Sequence, residues 1–400
     1  MVNPMPVSTT LDSTRIRQAR IAVSASFFAL GLQFGLWFVH VPMLAARHAL
    51  EPGLLGLALL MAGLGTVFAP WLAAPVVRRM GSRLACQIFA FACTAWLLFP
   101  LFAPTVPLLF AGGLTFGIVA GMFNLAINTQ GAEVEKARGR PTLSSFHGFF
   151  SLGGLVGAVA WTPIFSLGLG DGRGAAVMLA AVMAMLVWAV QGYLPDQTAP
   201  PAKPAAGERM GFPGLALLGL ALLGLTCTAV EGSVGDWSGL FLMQVKGSDP
   251  ALAATGYGMF ALAMTLSRFA GGPVVERLGD RRVLIGGGVL MAAGMALVVL
   301  APAALLSATG YLLVGIGAAN ASPVLISVAS RTPGVTPAVA VALVATSIST
   351  GLLVGPPVIG FIAQGFGLPA AMAMVGVLGL IVALGAALRR WTPRVTEPAS

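Results

Sequence analysis

Ionisable and amide side chains are scarce in this chain, and a few of them stand inside long apolar runs where each needs a reason. Glu231 lies in the run 213–243. A carboxylate at the depth of a hydrocarbon core costs several kcal/mol unless it is paired or hydrated, which makes such a group a functional candidate by default. Aligning Trp237 with Trp37, 200 residues earlier, sets Glu231 against Gly31, eleven residues past Arg20. At 1.5 Å per residue that is about 16 Å along a helix, near the middle of a bilayer. Two readings stand side by side: a group that carries a proton or pairs with a ligand, and a buried acid paired structurally with a neighbouring helix. Asp236 falls nearer the opposite face, where it would gate, coordinate a ligand, or cap a helix break between Gly232 and Gly235.

The uncharged candidates are amides and aromatic rings. Asn124 and Asn128 are four residues apart and share one helix face. Turned toward a cavity they would bind hydroxyls; turned toward a neighbour they would join helices. Asn320 occupies a similar location in the second half, and Gln33, Trp37 and His40 lie together in the first apolar run. Trp37 and Trp237 would suit stacking on a sugar-like ring, or else an interfacial aromatic belt. His147, a few residues into its run, reads as a gate or a satisfied interfacial histidine. Cys86, Cys93 and Cys227 have neither metal-ligand spacing nor a disulfide framework. No metal or cofactor is expected, and Gly-rich strings such as Gly286-Gly287-Gly288 follow no strand and make no phosphate loop.

These residues sit on elements set by composition. Hydrophobic residues make up 57% and charged residues 9%, against roughly 45–50% and about 25% in globular domains. The apolar runs are long enough for the roughly 20 residues that a spanning helix needs. Twelve are expected, at 21–45, 53–77, 84–103, 105–128, 143–167, 174–194, 213–243, 251–275, 283–302, 304–330, 338–364 and 367–388. Barrel strands would be about ten residues long and alternating, so the fold class is an all-α polytopic membrane protein. With the N-terminus placed in the cytoplasm, 18 of the 22 basic residues fall in inner segments, while Arg47, Arg173 and Lys246 fall in outer loops and Arg268 lies within a span. Both termini are therefore expected to be cytoplasmic. The net charge of +9 is spread over every inner loop, which fits orientation in a bilayer and not nucleic-acid binding.

The chain is also duplicated. Pro75-Val76-Val77-Arg78-Arg79-Met80-Gly81-Ser82-Arg83 and Pro273-Val274-Val275-Glu276-Arg277-Leu278-Gly279-Asp280-Arg281 match at six of nine positions, 198 residues apart. Ser151 with Ser349, and Leu155-Val156-Gly157 with Leu353-Val354-Gly355, keep that spacing. The organisation is a bundle at 1–194, a Pro- and Ala-rich cytoplasmic linker at 195–211, and a second bundle at 212–400. Gly81 and Gly279 permit a sharp turn, and Arg79, Arg83, Arg277 and Arg281 can approach helix C-termini. A charge latch that holds one conformation and plain positive-inside anchoring both fit those arginines. Gly31-x-x-x-Gly35, Gly117-x-x-x-Gly121, Gly153-x-x-x-Gly157 and Gly351-x-x-x-Gly355 are expected to serve close helix packing.

Six plus six spans, a mid-chain tether and the repeated Gly-x-Arg turn resemble the major facilitator superfamily. Its signature loop carries an acid where Glu276 stands, whereas Arg78 occupies that place in the first copy. The run Asn124-Leu125-Ala126-Ile127-Asn128-Thr129-Gln130, with Ser145-Phe146-His147-Gly148, is similar to a bacterial branch near fucose-permease-like sugar and proton symporters. Some of those relatives carry a carboxylate in the first or fourth helix; this chain has Asn124 and no acid in either. The resemblance implies two pseudo-symmetric six-helix bundles in a bacterial inner membrane, acting as a single chain on a small polar solute by alternating access with protons as the coupling ion. The lipid bilayer is the surrounding partner, and no enzymatic chemistry is implied. A drug or metabolite antiporter, or a transporter-like sensor without turnover, are the alternatives. In the symporter reading Gln33, Trp37, Asn124, Asn128, Trp237 and Asn320 contact the solute, and Glu231 and Asp236 couple. The two signature loops and His147 gate.

Overall fold

The computed structural model describes residues 12–139, 142–169, 173–195, 214–333 and 335–389. The linker residues 196–211 and the basic residues Arg140, Lys203, Arg209, Arg390 and Arg394 lie outside that set. Among the described residues the regular structure is helical. The first half holds α1 (Ser13–Arg47), α2 (Pro52–Trp96), α3 (Leu98–Leu101), α4 (Val106–Arg138), α5 (Leu143–Val159), α6 (Trp161–Ser166) and α7 (Arg173–Ala189). The second half holds α8 (Leu215–Gln244), α9 (Pro250–Phe269), α10 (Gly271–Leu300), α11 (Ala304–Ala318), α12 (Ala321–Ala329), α13 (Pro337–Phe366) and α14 (Leu368–Leu388).

Ten of the continuous helical stretches are long and apolar enough to cross a membrane. One of them, 50 residues from Pro52 to Leu101, is too long for a single crossing. It turns at Gly81, whose φ of 84° and ψ of 159° interrupt the helix. Gly279 does the same in α10, at φ 77° and ψ 159°. Both glycines stand in the repeated phrase, at a backbone conformation that side chains rarely adopt. Divided there, the first run gives two crossings, and α9 joins the first turns of α10 as another; the expected twelve follow from that division.

Each half is assembled by the same contacts. In the first, Gly31 and Gly35 of α1 meet the backbone of Phe150 and Gly154 in α5, while Gly153 and Gly157 meet Phe28 and Leu32. In the second, Gly351 and Gly355 of α13 meet Leu225 and Ala229 of α8. Lipid offers no hydrophobic drive between helices, so backbone contact over small residues supplies the packing. Arg47 donates to the Leu101 carbonyl at 2.7 Å. Its counterpart Lys246 donates to Val299 and Ala301 at 2.9 and 2.6 Å. Two of the three bases expected in outer loops thus satisfy the orphan carbonyls of a helix end.

The halves meet along α1 with α8, α2 with α13, and α5 with α9. At the end bearing Glu51, Gln364 donates to Glu51 at 3.0 Å. There Gly56 of α2 lies against Pro356, Pro357 and Gly360 of α13, and Gly63 against Leu353. On the same side Gly235 faces the Phe38 ring and Gly239 faces Pro42. The Glu51 end is closed by these contacts, while the Gly81 end carries the two signature turns.

Candidate functional site

Glu231 projects from α8 toward Arg268 of α9, with Nη2 and Oε2 3.6 Å apart and side chains 24% and 16% exposed for Arg268 and Glu231 respectively. That is longer than a charge-assisted hydrogen bond of about 2.7–2.9 Å, so the pair is loose. Arg268 uses its other terminal nitrogen to donate to Ser151 of α5 at 2.7 Å. One guanidinium therefore joins a carboxylate of its own half to a hydroxyl of the other half. The second Glu231 oxygen, Oε1, is buried with no hydrogen-bond partner among the described residues. An unpaired buried acceptor costs about 1–3 kcal/mol, so the site stores a polar group poised to accept a hydrogen.

Rings wall this junction. Phe38 of α1 and Tyr257 of α9 lie 4.8 Å apart across the two halves. Phe34 packs with Phe38 at 6.1 Å and with Phe150 at 5.9 Å. Tyr257 is within electrostatic reach of Arg268, Glu231 and Asp236. Asp236 itself is 7% exposed. His147, on the α5 face near Arg268, is exposed and sits edge-on to Phe27 at 5.1 Å.

The structure directs several expected contacts elsewhere. Gln33 is fully buried; its amide nitrogen donates to Thr94 at 2.8 Å and its oxygen accepts from Cys93. Both ends are consumed inside the first half, so Gln33 joins helices. Trp37 stacks on Phe116 at 5.9 Å, Trp237 is fully buried, and among the described residues no ring contact joins the two tryptophans. The ring pair across the halves is Phe38 with Tyr257, not the two tryptophans. Asn320 reaches the Ser267 carbonyl at 3.4 Å, beside Gly271, and binds the α11–α12 break to the α9–α10 break. Asn124 and Asn128 do share a face: Asn128 donates to the Asn124 side chain at 3.0 Å, and Asn124 is exposed.

The signature loops also differ from expectation. Glu276 is exposed and has no ion pair among the described residues. The acid that pairs is Asp280, 2.9 Å from Arg331. Its counterparts 198 residues earlier are Ser82 and Glu133, and these also meet, at 3.3 Å. Gln130 completes that cluster, donating to Ser82 at 2.8 Å and exchanging hydrogen bonds with Leu194. Arg281 donates to the Ala387 carbonyl at the end of α14, as a base near a helix C-terminus should. Arg79 and Arg277 are exposed, and Arg83 is half-buried.

Arg268 is a site candidate that sequence reasoning did not single out. An arginine inside a span was visible, and the cost of a membrane-embedded charge marks it on the same grounds as Glu231.

Two helical halves packed against each other, with an ion pair of the second half hydrogen-bonded to the first through Arg268 and Ser151, define a polytopic membrane protein. The family model described as Major Facilitator Superfamily matches residues 232–400. An uncharacterized MFS-type transporter of Yersinia pestis is 33% identical over 367 residues, covering 92% of this chain and 94% of its own. Membrane protein MosC of Rhizobium meliloti is 28% identical over 366 residues, covering 90% and 88%. The chain belongs to the major facilitator superfamily. Among solved structures, a variant of the nucleoside transporter NupG aligns with a TM-score of 0.75 at 13% identity, covering 92% of this chain and 99% of that one. A D-xylose-proton symporter aligns at 0.72 with 15% identity, covering 94% and 98%. These two likenesses concern the fold.

Proposed function

We propose that this transporter moves a small polar solute across a bacterial inner membrane by alternating access, coupled to protons, with both termini in the cytoplasm. The observation that carries the reading is the junction of Glu231, Arg268 and Ser151. A solute that engages Arg268 competes with both Glu231 and Ser151. It thereby weakens a bond between the halves and releases a carboxylate to take up a proton. Inverted repeats are not required for this motion; two parallel halves rocking about a site between them suffice.

Within this reading Glu231 is the coupling acid and Asp236 the reserve acid behind the Phe38–Tyr257 pair. Exposed Asn124 and half-buried Asn128 supply amides to the pathway, whereas Gln33, Trp37, Trp237 and Asn320 support the bundles. Asp280 with Arg331, Ser82 with Glu133, and the turns at Gly81 and Gly279 hold the conformation. His147 flanks the opening. The D-xylose-proton symporter among the solved relatives supports a sugar-sized solute by fold alone.

The test begins with a thermal-shift panel of sugars, organic acids and amines on purified protein, since a ligand stabilises the state it binds. The labelled hit is then followed in proteoliposomes. Exchange at equal pH together with accumulation driven by an imposed pH gradient is expected. Glu231→Gln should keep exchange and lose accumulation. Binding without exchange would identify a sensor, and proton-driven uptake that survives Glu231→Gln would remove Glu231 from coupling.

A further inference from the structure

The two long seams between the halves are copies of one another. In the α5–α9 seam, Gly154 lies against Tyr257, Ser151 bonds Arg268, and Gly148 lies against the Phe269 ring. The offset of 198 places Ser349 and Thr346 of α13 where α5 has Ser151 and Gly148. It places Pro70 and Trp71 of α2 where the second half has Arg268 and Phe269. At this level the two seams differ. Phe269, 54% exposed, still touches α5 at Gly148, whereas Trp71 is 69% exposed, with Phe68 46% and Leu72 48% exposed beside it. Opposite, Thr346 and Ser349 are exposed as well, and Thr350 is half-buried.

A second route, independent of the repeat, leads to the same pair. Gly53 of α2 meets Gln364 of α13. Trp71 lies 18 residues beyond Gly53, and Thr346 lies 18 before Gln364. Eighteen residues are about five full turns at 3.6 per turn, so both helices present the same faces again at that depth. Trp71 is on the side of α2 turned away from Gly65 and Ala69, which pack on α4 or are fully buried.

The hydroxyls add chemistry. Thr346 donates to Ala342, Ser349 to Ala345 and Thr350 to Thr346, at 2.8, 3.1 and 2.9 Å. Each proton is spent on the helix's own backbone, so the oxygens present lone pairs outward. We infer that Thr346, Ser349 and Thr350 form an acceptor-lined wall of the solute pathway, suited to solutes with O–H or N–H donors, and that Trp71 closes over this wall in the opposite access state. The inference rests on the alternating-access reading and gives it a specific closing contact.

The test uses full-length protein in proteoliposomes, with Cys86, Cys93 and Cys227 replaced by alanine and single cysteines introduced. Thr346→Cys, Ser349→Cys and Thr350→Cys should react with a charged, membrane-impermeant methanethiosulfonate at least about tenfold faster than Val358→Cys, since thiolate chemistry needs water. Equal rates would make the face a lipid contact and overturn the wall. At Ser349→Cys the aminoethyl reagent, a donor, should outpace the sulfonatoethyl reagent after normalisation to a free thiol, and the reverse order would overturn the acceptor assignment. The pair Trp71→Cys with Thr346→Cys should cross-link under a short bifunctional thiol reagent. Failure to do so where Gly63→Cys with Leu353→Cys succeeds would overturn the closure by Trp71. Labelling is read without any solute, so a failed exchange assay would count against transport and leave the wall standing.

Discussion

At the residue scale the charge pairs fall into different classes. Arg268 is shared between Glu231 and Ser151, so Arg268→Gln leaves a half-buried carboxylate unpaired. The expected cost is about 2–3 kcal/mol, below that of breaking a fully buried pair, and it is read as a lowered melting temperature together with loss of exchange. Ser151→Ala removes the bond between the halves without orphaning a charge, and is expected to change exchange rate more than stability. At the signature loop, Asp280→Asn is expected to cost about 1–2 kcal/mol. Glu276→Gln, at an exposed site without an ion pair, should stay within about 0.5 kcal/mol. Paired melting curves of the two variants check this ranking; a larger shift for Glu276→Gln would restore it as the latch acid. Glu276 follows the superfamily pattern, but the geometry favours the next acid, just past the Gly279 turn and buried against Arg331.

At the scale of elements, glycine decides where helices touch. A side chain at Gly153 would run into the Phe28 carbonyl of α1. Gly153→Leu is therefore expected to destabilise the first half by about 1–3 kcal/mol or more, as overpacking does, measured as loss of monodisperse protein on size exclusion. Gly219, with open space around it, should accept alanine without penalty. Much of this level was legible in the sequence, because the spacing of small residues states which faces can approach and because Gly81 and Gly279 punctuate spans at equal intervals. What was not legible is direction. The residues flanking Gln33 and Trp37 along the chain are apolar, so sequence alone does not say whether those side chains face a cavity or the bundle interior. The Thr94 hydroxyl and the Phe116 ring that receive them come from distant parts of the chain. Arg268 was legible as an anomaly, set apart in the orientation count, but its partners Glu231 and Ser151 come from other helices and were not legible.

At the scale of the whole molecule, duplication has kept geometry while chemistry diverged. Ser82 with Glu133 and Asp280 with Arg331 occupy the same places in two copies of one unit, and Arg47 and Lys246 close equivalent helix ends. In the proposed alternating-access cycle the halves would move as similar bodies, and their differences lie in the seams between them. At the closed end the backbones of Gly56 and Gly360 approach each other, and Pro52 offers its carbonyl to the space that a side chain on Gly360 would fill. Gly360→Ala is expected to act as a wedge. A cysteine at Gln364 in that background should be modified faster from the Glu51 side than in the parent, and an unchanged rate would show that the seam yields without opening. In the proposed cycle, the access equilibrium would thus be set partly by atoms that are missing. A change of about 1.4 kcal/mol there alters the ratio of the two states tenfold and shifts apparent solute affinity by the fraction of competent molecules. Under the proposed cycle, a residue that never touches the solute would tune how tightly the solute is held.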